Sequence, residues 1–199
     1  DVDDALRHCM KRLIGLIDAN NVCWVGAVRL MSGREDRGTG LKGWRVVSVR
    51  PMTSLPEFFT ASDRATDEQE SAPAPTTLAL VKGGGTHRTF RLHEKGFVDL
   101  KAFKKTEHYQ YLYEALGVRD RIFCVTPVNK QTESFFLIDR VGANPRFKQR
   151  DAEIVSYALR GLKWFQKELM LAHGLSIAED PLSFTESRIV RLMLTDKTE

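Results

Sequence analysis

The densest polar-aromatic stretch in the chain is His108-Tyr-Gln-Tyr-Leu-Tyr113. On a helix, Tyr109 and Tyr113 share one face while His108 and Tyr111 share another, so one of these faces can line a cavity. Hydroxyls and an imidazole set among aromatic rings suit the few orienting contacts of a mostly apolar small-molecule site. Trp24 and Trp44, each inside a strand-like run, join His108, Tyr109, Tyr111 and Tyr113 as candidate ligand-binding residues. Phe58, Phe59, Phe90 and Phe136 are further candidate liners. For every one of these rings, packing in the core is the competing role.

Other chemistries find less to work with. There is no Gly-x-Ser-x-Gly elbow and no carboxylate pair with an evident role, so catalysis is not expected. His8, His87, His93, His108 and His173 are dispersed without HxH or HxxxH spacing, and no CxxC occurs, so no metal site and no cofactor are expected. A haem sensor would need one axial histidine, for which His108 is the nearest candidate. Gly83-Gly-Gly85 invites a phosphate-loop reading, but no Lys-Ser or Lys-Thr pair follows it and the flanking elements come in the wrong order. Cys9, Cys23 and Cys124 are odd in number and sit among apolar neighbours, the pattern of reduced, buried thiols in a cytoplasmic protein.

The elements that must position these residues are legible as pattern. The 199 residues, 42% hydrophobic and 28% charged, are enough for one ordinary domain plus extra segments. No apolar run approaches the roughly 18–20 residues that span a bilayer, and the acidic opening looks like an internal start rather than a signal. The formal net charge of +4 is permissive for nucleic-acid contact and no more. Val2, Leu6, Cys9, Met10, Leu13 and Ile17 recur at helical spacing. Residues 22–31 and 44–50 read as strands. Residues 53–85 are the least regular, with a mobile loop or solvated helix at 61–71 and a short helix at 76–82 ended by the glycines. Residues 89–92 form a short strand and 103–116 a helix or two. A hairpin then runs from Arg121 through a polar turn at 129–132 to Asp139-Arg140, which returns the strand to water. Ile154, Val155, Ala158, Leu159, Leu162, Phe165 and Leu169 mark one long helix, with Tyr157, Gly161, Trp164 and Leu171 widening its apolar surface. Gly161, Trp164 and Leu171 are therefore candidate dimer-interface residues.

Residues 117–170 resemble the C-terminal half of a GAF domain. The resemblance rests on Leu116-Gly-Val-Arg-Asp120 entering a strand, on Phe135-Phe-Leu-Ile-Asp-Arg140, and on Phe147 with Arg150-Asp151 before the long helix. PAS domains and the autoinducer-binding domains of LuxR-type regulators share this arrangement. The pocket set of the autoinducer domains, a Trp-Tyr pair with a later Tyr and Asp, does not align with this chain, so the ligand's identity is not implied. A second resemblance covers residues 182–198, which are similar to the first helix and turn of the LuxR-type helix-turn-helix. Ser183 takes the capping position, Glu186 completes a capping box, and Ile189 and Val190 begin the core face. Phe184 stands where proline is common and Asp196 where glycine is usual. The recognition helix of that motif is missing from residues 182–199.

These resemblances imply an α+β chain: a GAF/PAS-like α/β/α sandwich with a central antiparallel sheet over residues 1–174, a linker at 175–181, and the first helix of a truncated LuxR-type helix-turn-helix at 182–199. They imply the sensory and dimerisation region of a bacterial transcription regulator, without enzymatic activity. It would bind an unknown small-molecule ligand, form a homodimer, avoid the membrane, and touch DNA only through the remainder of the helix-turn-helix. The alternative is a stand-alone GAF-like protein-interaction domain without DNA binding; a third reading is an enzyme on a similar scaffold.

Overall fold

Alternating apolar residues in β-branched and aromatic runs build a five-stranded antiparallel sheet. The computed structural model describes residues 1–30, 39–52 and 56–175. The sheet runs in the order β2-β1-β5-β4-β3, with β1 at Asn21–Arg29, β2 at Trp44–Pro51, β3 at Arg88–Arg91, β4 at Val118–Pro127 and β5 at Thr132–Val141. The β4–β5 hairpin anticipated from the sequence forms the middle of it, pairing Phe123 with Leu137 and Val125 with Phe135.

One face is covered by α1 (Val2–Ile17), α6 (Gln149–Gly161) and α7 (Lys163–Ala172). Leu6, Met10, Leu13 and Ile17 of α1, with Val155, Leu159, Leu169 and Met170, pack on Val22, Trp24, Ile122, Phe136 and Ile138. The other face carries α2 (Pro56–Asp67), α3 (Pro75–Val81), α4 (Leu100–Phe103) and α5 (Glu107–Tyr109), which continues as one π turn over Gln110–Glu114. Phe58, Leu80, Phe103, Leu112 and Tyr113 pack there against Phe123 and Val125. This is an α+β sandwich with a central antiparallel sheet.

Four local expectations change. The apolar stripe over 151–171 predicts a single helix, but the chain breaks at Leu162 (φ −99°, ψ 26°) into α6 and α7. Gly161 is a weak helix former there, and the buried Gln166 side chain donates from Nε2 to the Leu159 carbonyl at 2.7 Å, inserting into the end of the ladder. Residues 61–71 do not stand apart as a loop or solvated helix. They complete α2, whose Phe58 and Ala61 are buried, and lead into a 3₁₀ turn at Glu68–Glu70. Asp139 and Arg140 do not return to water: both are buried in ion pairs and hydrogen bonds. Arg140 binds the carbonyls of Ile17, Asp18, Pro145 and Arg146 and lies 4.3 Å from the Phe147 ring centroid. Finally, Trp24 belongs to the α1/α6/α7 face, not the face of Trp44 and Tyr113. Its Nε1 donates to Ser134 Oγ at 2.9 Å and its ring meets His173 at 4.9 Å.

Asp151 accepts from the Lys148 backbone N–H at 2.8 Å, and Phe147 is buried ahead of α6.

Candidate ligand cavity

Between the sheet and α2, α3 and the π turn lies a cavity of about 150 Å³. Strand parity makes its floor. Positions 21, 23, 25 and 27 of β1 face it, as do 121 and 123 of β4 and 133, 135 and 137 of β5. On β2 the parity changes at a bulge. Gly26 pairs with Ser48 but Ala27 pairs with Val46, so Trp44 and Val46 face the cavity before the bulge, and Val49 and Pro51 after it. Phe58, Leu80 and Leu112 close the roof.

The polar groups gather at two ends. At one, Arg121 is paired with Asp139, Nε to Oδ1 at 2.6 Å and Nη2 to Oδ2 at 3.0 Å. Its Nη1 donates to the Tyr113 hydroxyl at 3.3 Å, and its guanidinium carbon lies 4.7 Å from the Tyr113 ring centroid. Asn21 Nδ2 donates to Asp139 Oδ2 at 3.2 Å, which fixes the amide with its oxygen turned away from the carboxylate; that oxygen is buried without a partner. Burial raises the Tyr113 hydroxyl to about 12 and the Cys23 thiol to about 12, so both stay protonated near neutrality.

At the other end Glu133 holds Arg88 through both oxygens (2.8 and 2.7 Å) and accepts the Gly85 N–H at 2.7 Å. Arg88 also donates to the Leu80 and Thr86 carbonyls. This explains the triple glycine. A Cβ at Gly83 would stand 2.7 Å from Arg88 Cδ, and one at Gly84 would stand 3.1 Å from Trp44 Nε1 and 3.2 Å from the Val81 carbonyl. The glycines let the end of α3 press onto the cavity rim.

His108 lines the cavity and begins a chain of hydrogen bonds leading outward. Its Nδ1 lies 3.1 Å from the Tyr111 hydroxyl, which donates to Glu68 Oε2 at 3.1 Å. Glu68 in turn accepts from Arg64 Nε at 2.7 Å. Burial, then the Arg121 charge, pulls His108 down to about 4, so the ring is neutral near pH 7. Gln69 pairs both amide atoms with the Val46 peptide group, tying α2's end to β2.

Of the residues singled out in the sequence, Trp44, His108 and Tyr113 line this cavity. Tyr109 stacks on Tyr113 in parallel planes at 5.3 Å, one layer behind, and Tyr111 bridges His108 to Glu68. Trp24 lies beyond the sheet. Asn21, Arg121 and Glu133 were missed. Their signal was present as charged or amide side chains on the same parity as Cys23, Phe123 and Phe135 inside apolar strands. Among the described residues no group of three His, Cys, Asp or Glu side chains could hold a metal ion, and no helix is long and apolar enough to cross a membrane. On the opposite side of the sheet Trp164 and Leu171 are 66% and 46% exposed, and Gly161 is exposed too. Ser183, Glu186, Ile189 and Val190 lie outside the described residues.

No family's sequence pattern matches the chain, and no curated protein matches it in sequence. Solved structures do match in shape. The LBD domain of VqsR from Pseudomonas aeruginosa superposes with a TM-score of 0.52 at 13% identity, over 79% of this chain and 80% of that one. SdiA in complex with octanoyl-rac-glycerol gives 0.54 at 13%, over 98% and 71%. GAF3 from Slr1393 of Synechocystis, in its photoproduct state, gives 0.51 at 10%, over 89% and 100%. The fold is α+β, of the GAF/PAS-like type. At these identities the likeness is one of architecture, and the chemistry of the cavity has to be argued from its own residues.

Proposed function

We propose that the chain is the sensory region of a bacterial LuxR-type transcription regulator, whose small-molecule signal occupies the cavity beside Trp44, His108 and Tyr113. The observation that carries this reading is the cavity itself: apolar walls with a few buried, well-anchored polar groups. The similar fold of SdiA, whose structure holds octanoyl-rac-glycerol, supports it. In this reading residues 182–199, with Ser183 and Glu186 as capping box and Ile189 and Val190 on the core face, begin the DNA-binding module. Occupancy of the cavity biases the position of α6 and α7, and through them the linker at 175–181 in a homodimer.

The exposed apolar side chains Tyr157, Trp164 and Leu171 favour a second reading, a GAF-like domain that binds another protein. Native mass spectrometry separates the two. The sensor reading expects purified protein to carry a non-covalent small molecule, or to take one up with a rise in melting temperature. Val25→Trp, which fills the cavity from its floor, should abolish uptake while the circular dichroism stays native. A wild-type protein that takes up no apolar small molecule from a broad library removes the sensor reading.

A further inference from the structure

Resting on that reading, we infer that the cavity's ligand is a neutral molecule with a body the size of a single ring and a head that donates a hydrogen bond, held between Asn21, His108 and Arg121. Size comes first. An apolar cavity of about 150 Å³ is the size that takes up benzene. It accommodates one ring with a substituent, and a long acyl chain would need the helices to part.

Charge comes second. Two ionised groups on the lining, Arg121 and Glu133, are each neutralised by a protein partner. Arg121 is held by Asp139 and Glu133 by Arg88, in both cases through two short hydrogen bonds. Arg45, whose strand neighbours face the cavity, is folded onto the Trp44 carbonyl at 2.7 Å. His108 is neutral. At the end lined by Asn21, His108 and Arg121 a charged head would meet no unpaired counter-ion, and desolvating it would go uncompensated.

Hydrogen-bond polarity comes third, and two observations agree on it. Asn21 Oδ1 is a buried acceptor with no donor. The Tyr111 hydroxyl gives its single proton to Glu68, so the His108 Nδ1 beside it must be the protonated nitrogen. That leaves Nε2 of His108 as an acceptor as well. The Tyr113 hydroxyl accepts from Arg121 Nη1 and keeps its own proton, so a ligand hydroxyl here can accept as well as donate. Asn21 Oδ1 and His108 Nε2 are thus two acceptors without a donor, and a phenolic or alcoholic hydroxyl or an indole-like N–H supplies one.

Matched probes test this on the full chain, read by melting temperature and titration calorimetry: benzene, phenol, anisole, benzoate and octanoyl-rac-glycerol. Phenol is expected to bind roughly tenfold tighter than anisole, which has the same ring and an acceptor only. Benzoate is expected not to bind at pH 7. Asn21→Leu should bring phenol and anisole level. Should that variant not fold, His108→Phe, which removes the other acceptor but keeps the ring, should shrink the same ratio. Equal binding of phenol and anisole, tight binding of benzoate, or octanoyl-rac-glycerol binding better than phenol overturns the inferred ligand class and leaves the sensor reading standing. Failure of all five probes to bind also overturns the inferred ligand class, and the broad library then decides the sensor reading.

Discussion

Asp139 takes hydrogen bonds from Arg121 Nε and Nη2 and from Asn21 Nδ2, with no solvent exposure at all. At the scale of single residues, this arrangement means that neither partner can be removed alone. Arg121→Ala leaves a buried carboxylate with only an amide for company and is expected to cost about 3–5 kcal/mol in urea unfolding. Replacing both partners, Arg121→Met with Asp139→Leu, should recover much of that loss, because the desolvation penalty disappears with the charges. If the double variant is no better than the single one, the pair is not held together by the electrostatics argued above. His108 gives a pH signature. Its folded-state pKa of about 4 lies below the ordinary value near 6.5. Above about pH 6.5 the ring is neutral folded and unfolded and has no effect. As pH falls towards 4 the unfolded chain takes up a proton that the folded chain refuses, so stability drops, by on the order of 3 kcal/mol at completion. Thermal melts from pH 7 to 4 should show this slope, and His108→Phe should flatten it.

At the scale of elements, the chain's glycines and the bulge in β2 do much of the positioning. Gly83→Ala would push a methyl group against Arg88, whose guanidinium is pinned by Glu133, Leu80 and Thr86 and cannot swing aside. Overpacking of this kind costs about 1–3 kcal/mol, and a chemical melt should find it, where the same change at Gly161, with nothing within 4 Å, should show no clash term. The sequence made the strands and the stripe of α1 legible, because each carries its period over several turns or residues. It did not reveal which face Trp24 takes. Nearly all of β1 is buried, so alternation between core and water, the usual cue, is absent there. The bulge in β2 and the π turn each shift the phase by one residue, and a periodicity argument cannot see such a shift. Trp44, His108 and Tyr113 were legible as aromatic candidates. Asn21 and Arg121 were hidden because an isolated polar residue in an apolar strand reads more readily as an end than as an anchor.

At the scale of the whole molecule, the sheet is covered on both faces, yet Tyr157 (86%), Trp164 (66%) and Leu171 (46%) remain exposed on α6 and α7, with Leu16 of α1 (54%). Side chains this large and this apolar on one helical layer are the surface that the homodimer proposal would cover. Under the homodimer proposal, Trp164→Glu should convert a dimer into a monomer by sedimentation or light scattering, with the fold unchanged. An unaltered mass would exclude this surface as the interface between copies.

Asp139 and Arg140 are consecutive residues of β5 that point to opposite sides of the sheet. The first grips the polar end of the cavity, and the second clasps the carbonyls that end α1 and precede α6. They stand about 3.4 Å apart along one strand. The strand therefore works as a rack with teeth on both edges. Under the sensor proposal, a ligand that draws Asp139 by a few tenths of an ångström would carry its neighbour's clasp with it, and the message would cross the protein's midplane through two adjoining peptide units.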